Sequence, residues 1–204
     1  MIRNIIFDMG NVLIRFEPYL FMERLGVPEA DRTLMWQEVF NSVEWAQLDH
    51  GTLTEAQALE RICVRLPERL HDAAEKLVMH WDRPIIEVEG MCELAAELKE
   101  LGYPLYLLSN ASVRQHEYWP RISASRYFDG TLISADVKLL KPDHAIYRLL
   151  CETFSLDPAE CFFIDDNPYN MEGAHCCGIA GTVFRGEISR LRRELNAAGI
   201  PVKV

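Results

Sequence analysis

The sequence predicts an α/β fold: a parallel sheet with helices on both faces, carrying a small helical cap inserted after the first strand. Three observations lead there. Short apolar runs recur along the 204 residues, each ending in polar or turn residues. Helical periodicities separate them, and strand–helix alternation of this kind builds parallel sheets. Between residues 16 and 84 the strand-like runs stop and helical patterns remain.

The elements follow in order. The run from Ile2 to Phe7 opens into Asp8-Met9-Gly10-Asn11, a buried strand entering a turn. In the insert, Thr54-Glu55-Ala56-Gln57 reads as a capping box opening a helix toward Leu66, and Leu25-Gly26-Val27-Pro28 and Leu66-Pro67 break helices. From Val88 to Leu101 apolar residues fall at Met91, Leu94, Ala95, Leu98 and Leu101, with Gly102 as the stop. A second strand, Leu105 to Leu108, ends in Ser109-Asn110, and a third, Thr131 to Ile133, ends near Asp136. After Asp143, Ile146, Leu149, Leu150 and Phe154 keep helical spacing. A fourth strand, Cys161 to Ile164, ends in Asp165-Asp166. Asn167 then caps a helix that begins at Pro168 and stops at Gly178. A fifth runs from Ile179 to Phe184. The runs are apolar rather than alternating, as in strands buried on both faces. The expected division is a core of residues 1–15 and 85–204 and a helical cap of residues 16–84.

Composition narrows the function. Apolar residues make up 49% and charged residues 25%, enough apolar mass for a real core. A net charge of −10 argues against a nucleic-acid partner, which calls for a basic surface. No apolar stretch approaches the ~20 residues that span a bilayer, so no membrane partner is expected. The run Ile2 to Phe7 is too short for a secretory signal. The six cysteines form no CxxC pair and no zinc-like spacing, and the expectation is a reduced, cytosolic protein.

Parallel sheets bind ligands at the carboxyl ends of their strands. The polar residues there are Asp8, Ser109, Asp165 and Asp166, with Lys141 just beyond the third strand. Carboxylates gathered in one crevice repel each other, and a divalent cation removes that penalty. Oxygen ligands suit Mg²⁺. Lys141 and Ser109 add the positive charge and the hydroxyl that a phosphoryl group needs around it.

Four motifs in order make the pattern specific. Ile5-Ile6-Phe7-Asp8-Met9-Gly10-Asn11-Val12-Leu13, Leu108-Ser109-Asn110, Lys141-Pro142, and Phe163-Ile164-Asp165-Asp166 with Asn170 resemble motifs I to IV of the haloacid dehalogenase superfamily. The likeness covers essentially the whole chain. Gly10-Asn11, the tract His116 to Pro120 and Asp165-Asp166-Asn167 resemble the branch that contains bacterial α-D-glucose-1-phosphate phosphatases. The resemblance implies a Rossmann-like core with a C1 cap. It also implies an aspartyl-phosphate mechanism with Asp8 as nucleophile and a small phosphorylated metabolite as substrate. Mg²⁺ is implied between Asp8, the Gly10 carbonyl and Asp166, with Asp165 close by or one shell out. Ser109, the Asn110 amide and Lys141 are implied to hold the phosphate.

One position departs from the superfamily's common pattern. Most of its phosphatases carry a second Asp two residues after the nucleophile as general acid and base, and here Gly10 stands there. A glycine supplies a carbonyl but no proton. The sequence therefore predicts a preference for good leaving groups, sugar 1-phosphates and aryl phosphates among them, unless an acid comes from elsewhere. Two other functions stay open: a metal-independent 2-haloacid dehalogenase, and a weakly catalytic phosphate-ligand binding or regulatory protein.

Some residues have two readings. His116, Tyr118 and Trp119 line a sugar pocket or pack a loop. Trp45 and Asp49 are expected to serve core packing rather than to face the crevice. His50, His71, His80, His144 and His175 lack ligand spacing, and Arg190, Arg192 and Arg193 read as a solvated helix face.

Overall fold

A computed structural model describes residues 1–203. Among the described residues five parallel strands form one sheet in the order β3-β2-β1-β4-β5. They are β1 (Asn4–Phe7), β2 (Leu105–Ser109), β3 (Gly130–Ile133), β4 (Cys161–Asp165) and β5 (Ala180–Val183). Phe7 pairs with Leu107 on one side and Ile164 on the other. The residues that follow each strand therefore leave the sheet at one common edge.

The first five α-helices are α1 (Pro18–Arg24), α2 (Glu29–Met35), α3 (Val43–Asp49), α4 (Glu55–Arg65) and α5 (His71–His80). The Thr54 side chain accepts from the Gln57 amide and the Gln57 side chain reaches back to the Thr54 amide, closing the predicted capping box. Next come α6 (Met91–Glu100), α7 (Gln115–Tyr118), α8 (Ser134–Val137), α9 (His144–Phe154), α10 (Pro168–Cys176) and α11 (Ile188–Ala197). Asn167 caps α10 by accepting from the Tyr169 amide, with Pro168 as first residue.

Successive side chains of a strand point to opposite faces. Ile5 and Phe7 join Met91, Leu94 and Leu98 of α6 and Leu191 and Leu195 of α11 in one apolar cluster. Ile6 joins Ile146, Tyr147 and Leu150 of α9 and Met171 and Ala174 of α10 in another. Full burial of a large apolar side chain is worth roughly 1.5–3 kcal/mol, so residues such as Phe7 and Phe163 hold both helical layers to the sheet. Burial on both faces holds for β1 and β4 but not for the edges. β5 is exposed at Ala180 and half-buried over the rest, and β3 is exposed at Thr131. Each has a neighbour on one side only.

Helices α1 to α5 have their own apolar cluster, built on Met22, Met35, Val39, Ala58, Ile62 and Leu77. The two chain segments that connect them to the core run side by side. Arg15 donates its amide to the Ile86 carbonyl at 2.8 Å, and Val88 donates to Leu13 at 2.9 Å. At the far end the C-terminus of α3 docks on α8. The Ser134 hydroxyl donates to the Asp49 carbonyl at 2.5 Å, and His50 Nε2 donates to the Lys138 carbonyl at 2.8 Å. Gly51 follows at φ +69°, and a Cβ there would meet the Ala135 carbonyl oxygen at 2.1 Å. Only glycine fits that approach.

Candidate active site

The common edge of the sheet gathers Asp8 after β1, Ser109 at the end of β2 and Asp165 at the end of β4. All three are buried. Lys141 enters from the segment between α8 and α9. Its ammonium lies 2.8 Å from Asp8 Oδ1 and 2.7 Å from Asp165 Oδ2, and donates to the Leu108 carbonyl at 3.0 Å. Asn110 fixes the lysine from behind: its side-chain oxygen accepts from the Lys141 amide at 2.8 Å and its NH₂ donates to the Lys141 carbonyl at 3.0 Å.

The two adjacent acids after β4 have different surroundings. Asp165 is fully buried and its oxygens are already engaged, by Lys141, by the Asn170 amide group at 3.0 Å to each oxygen, and by the Asn167 backbone amide at 2.8 Å. Asp166 is half-buried and accepts one bond, from Asn11 Nδ2 at 3.1 Å. One carboxylate oxygen each from Asp8, Asp165 and Asp166 lie within 4.8 Å of one another, a hard-oxygen set that fits a cation such as Mg²⁺. Since Asp165 is already saturated, Asp8 and Asp166 are the carboxylates free to take up a metal, and Asp165 orients Lys141.

The charges respond to this packing. Burial, together with the Asp165 charge, pushes the Asp8 carboxyl up to about 7 against the pull of Lys141. Burial opposes the Lys141 charge, but Asp8 and Asp165 outweigh it and hold the lysine above its ordinary range. Burial also raises Asp166, partly offset by the Asn11 bond.

A cavity of about 270 Å³ opens above Asp8 and Lys141. Ser109, Asn110, Gly10, Asn11 and Asp166 line its floor, and Phe16, Trp45, Trp81 and Tyr118 line its walls. The aromatic rings pack edge to face, Phe16 on Trp81 at 5.1 Å and Trp81 on Tyr118 at 5.3 Å.

The structure places the remaining candidate residues as follows. Trp45 and Asp49 face the cavity rather than serving the core alone, because α3 turns one face toward the sheet edge. His116 stands apart from the cavity lining: its imidazole is exposed and pairs with Asp136 at 3.0 Å, since the short α7 turns it outward while Tyr118 turns inward. Trp119 packs on Phe128 at 5.1 Å, away from the cavity. In the sequence Asn11 stands out only as a neighbour of the nucleophile. Its φ of 54° lets one side chain reach Asp166 and accept from the Phe16 amide at 3.0 Å. For Asp49 a signal existed: Trp45, Leu48 and Asp49 fall at i, i+3 and i+4 and share one helix face.

The sequence matches the haloacid dehalogenase-like hydrolase family over residues 2–178. The chain belongs to that family. Its parallel α/β fold matches that of solved HAD family enzymes. The chain is 25% identical over 178 residues to a phosphorylated carbohydrates phosphatase of Thermotoga maritima, covering 86% of this chain and 81% of that one. It is 30% identical over 146 residues to (S)-2-haloacid dehalogenase 4A of Burkholderia cepacia, covering 70% and 58%. A HAD family enzyme of Bacteroides thetaiotaomicron, solved with magnesium and inorganic phosphate, superposes with a TM-score of 0.70 at 24% identity, covering 91% of this chain and 96% of that one. That likeness is one of fold. Several curated relatives are longer proteins, of which the chain spans 38%, 47% and 58%. No helix among the described residues is long and apolar enough to cross a membrane.

Proposed function

We propose that this hydrolase is a magnesium-dependent phosphatase of small phosphate monoesters, sugar 1-phosphates among them, acting through an aspartyl phosphate on Asp8. The observation that carries the reading is the carboxylate cluster of Asp8, Asp165 and Asp166 around the Lys141 ammonium. Asp8, the Gly10 carbonyl and Asp166 would hold Mg²⁺, which supplies charge neutralisation for the incoming phosphoryl oxygens. Lys141, the Ser109 hydroxyl and the Asn110 amide would hold the same oxygens. Asp8 attacks phosphorus, the ester oxygen departs, and water then hydrolyses the aspartyl phosphate. The aromatic walls of the cavity suit the apolar face of a sugar ring, and the likeness to a phosphatase of phosphorylated carbohydrates supports that substrate class. Six free cysteines support a reducing, cytosolic setting.

The test is release of phosphate from p-nitrophenyl phosphate and from a panel of phosphorylated metabolites, with Mg²⁺ and with EDTA. Asp8→Asn serves as the blank. The reading requires turnover that vanishes both with EDTA and in Asp8→Asn. Halide release from 2-chloropropionate that survives EDTA would instead establish a dehalogenase.

A further inference from the structure

We propose that Asp49, brought to the cavity by α3, is the general acid and base of this reaction and takes the place of the carboxyl group missing at Gly10. The inference rests on the phosphatase reading above and adds the group that moves the proton.

The other candidates in the cavity are committed elsewhere. Asp8 is the nucleophile. Asp166 is bonded by Asn11 and placed for the metal. Lys141 is locked between Asp8 and Asp165. Burial and the nearby Asp49 charge push the Tyr118 hydroxyl far above its usual range, which makes it a poor proton donor. Asp49 is the remaining carboxyl group lining the cavity. It makes no hydrogen bond and no ion pair among the described residues: only its burial and the charge of Asp8 act on it. An unpartnered carboxyl group in a half-buried site costs more as an anion than as the neutral acid. Its main chain is nevertheless anchored, by the Ser134 hydroxyl on the Asp49 carbonyl. A free side chain on a fixed backbone suits a group that must meet a leaving oxygen in one step and a water molecule in the next.

The environment tunes it accordingly. Asp8 and Asp166 line the same cavity from the core, with Lys141 paired to Asp8 and Asp165, and Tyr118 lines it from α7. Burial, then the Asp8 charge, pushes the Asp49 carboxyl up to about 7, where both protonation states are accessible near neutral pH.

The steps balance. Asp8 forms a bond to phosphorus as the bond from phosphorus to the ester oxygen breaks. The departing oxygen takes the proton of Asp49 and leaves as the alcohol, and Asp49 becomes a carboxylate. That carboxylate then accepts a proton from water as its oxygen attacks phosphorus. The bond from phosphorus to Asp8 breaks, inorganic phosphate leaves, and Asp49 is again the neutral acid.

The experiment compares wild type, Asp49→Asn and Asp49→Glu on p-nitrophenyl phosphate and phenyl phosphate with Mg²⁺. The esters have similar size, but nitrophenolate leaves readily without a proton and phenolate does not. General acid catalysis is worth about a hundred- to ten-thousand-fold in full. In Asp49→Asn, kcat/KM should therefore fall at least about tenfold more for phenyl phosphate than for the nitrophenyl ester. A rapid burst of nitrophenol should precede slow turnover, because the base for the second step is gone. Asp49→Glu should regain most of the phenyl phosphate rate. Equal losses on both esters, or no loss, would overturn the proposal and leave Asp49 a packing or binding residue. If Asp49→Asn melts early, Asp49→Ser is the second acid-free variant. A wild-type protein inert on every ester would overturn the phosphatase reading itself and this inference with it. Wild-type turnover abolished by Asp8→Asn keeps that reading standing whatever Asp49 does.

Discussion

The ammonium of Lys141 stands 2.8 Å from the carboxylate of Asp8, so the proposed nucleophile sits in an ion pair almost closed to solvent. Lys141→Ala leaves Asp8 beside Asp165 with no counter-charge. Losing one such electrostatic contact costs about a hundred- to thousand-fold in rate. Breaking a buried pair by removing one partner also destabilises, by about 3–5 kcal/mol. The expected outcome is a drop of that order in kcat/KM for p-nitrophenyl phosphate, together with a lower melting temperature of the metal-free protein. A variant within about threefold of wild type would place Lys141 outside the chemistry.

Asp165 and Asp166 should separate in mutagenesis. Asp165 ties together Lys141, Asn167 and Asn170 from full burial, so Asp165→Asn should lower the melting temperature as well as activity. Asp166 is half-buried with a single bond, from Asn11. Asp166→Asn should leave the melting temperature within a few degrees of wild type and raise the Mg²⁺ concentration needed for half-maximal activity at least about tenfold. Melting curves and magnesium titrations on both variants check this.

Stability should depend on pH through Asp49. Its carboxyl rises from 3.8 to about 7 on folding, by burial first and then by the Asp8 charge. Between those values the folded state holds a proton that the unfolded state has lost, so stability falls as pH rises. The contribution is full below about 3.8 and gone above about 7. In EDTA the wild-type melting temperature should therefore decline from pH 5 to pH 7.5. Asp49→Asn, which cannot ionise, should show a shallower decline. Identical slopes would mean that Asp49 does not hold its proton in the fold.

Gly10 offers a rescue. Nothing lies within 4 Å of a Cβ built there, and its φ is not in the left-handed region, so a side chain enters without strain. On the proposed phosphatase reading, Gly10→Asp in the Asp49→Asn background should restore phenyl phosphate turnover at least about tenfold, because it returns a carboxyl group to the position where most phosphatases of the superfamily carry one. Comparing the double variant with Asp49→Asn alone checks this. A double variant no faster than the single would mean that the position does not reach the leaving oxygen.

Much of the site was legible because it follows from chain order. Asp8, Ser109, Asp165 and Asp166 each end an apolar run, and parallel strands in register must bring such residues to one edge. Lys141 was legible through its motif, and the capping box at Thr54 and the Asn167-Pro168 helix start were local signals. The less legible features depend on how α3 meets the core. The 3.6-residue period marks a face of that helix but does not say whether the face meets its own apolar cluster or the sheet edge, so for Trp45 and Asp49 the sequence favours packing. His116 and Tyr118 lie two apart in a one-turn helix and point to different sides, which composition does not resolve. The sequence does not mark β3 and β5 as edge strands, because a short apolar run looks the same at the margin of a sheet as in its centre.

The docking of Gly51 against Ala135 has a consequence for timing. The contact admits no side chain, and it lies two residues from Asp49, whose carbonyl is held by Ser134 across the same seam. If α3 lifts from α8, the proton carrier lifts with it, while Asp8 and Lys141 stay behind on the sheet. On the proposed mechanism, a phosphoryl group already on Asp8 then has no base beside it. On that mechanism, the seam between α3 and α8 decides whether the second half-reaction can follow the first.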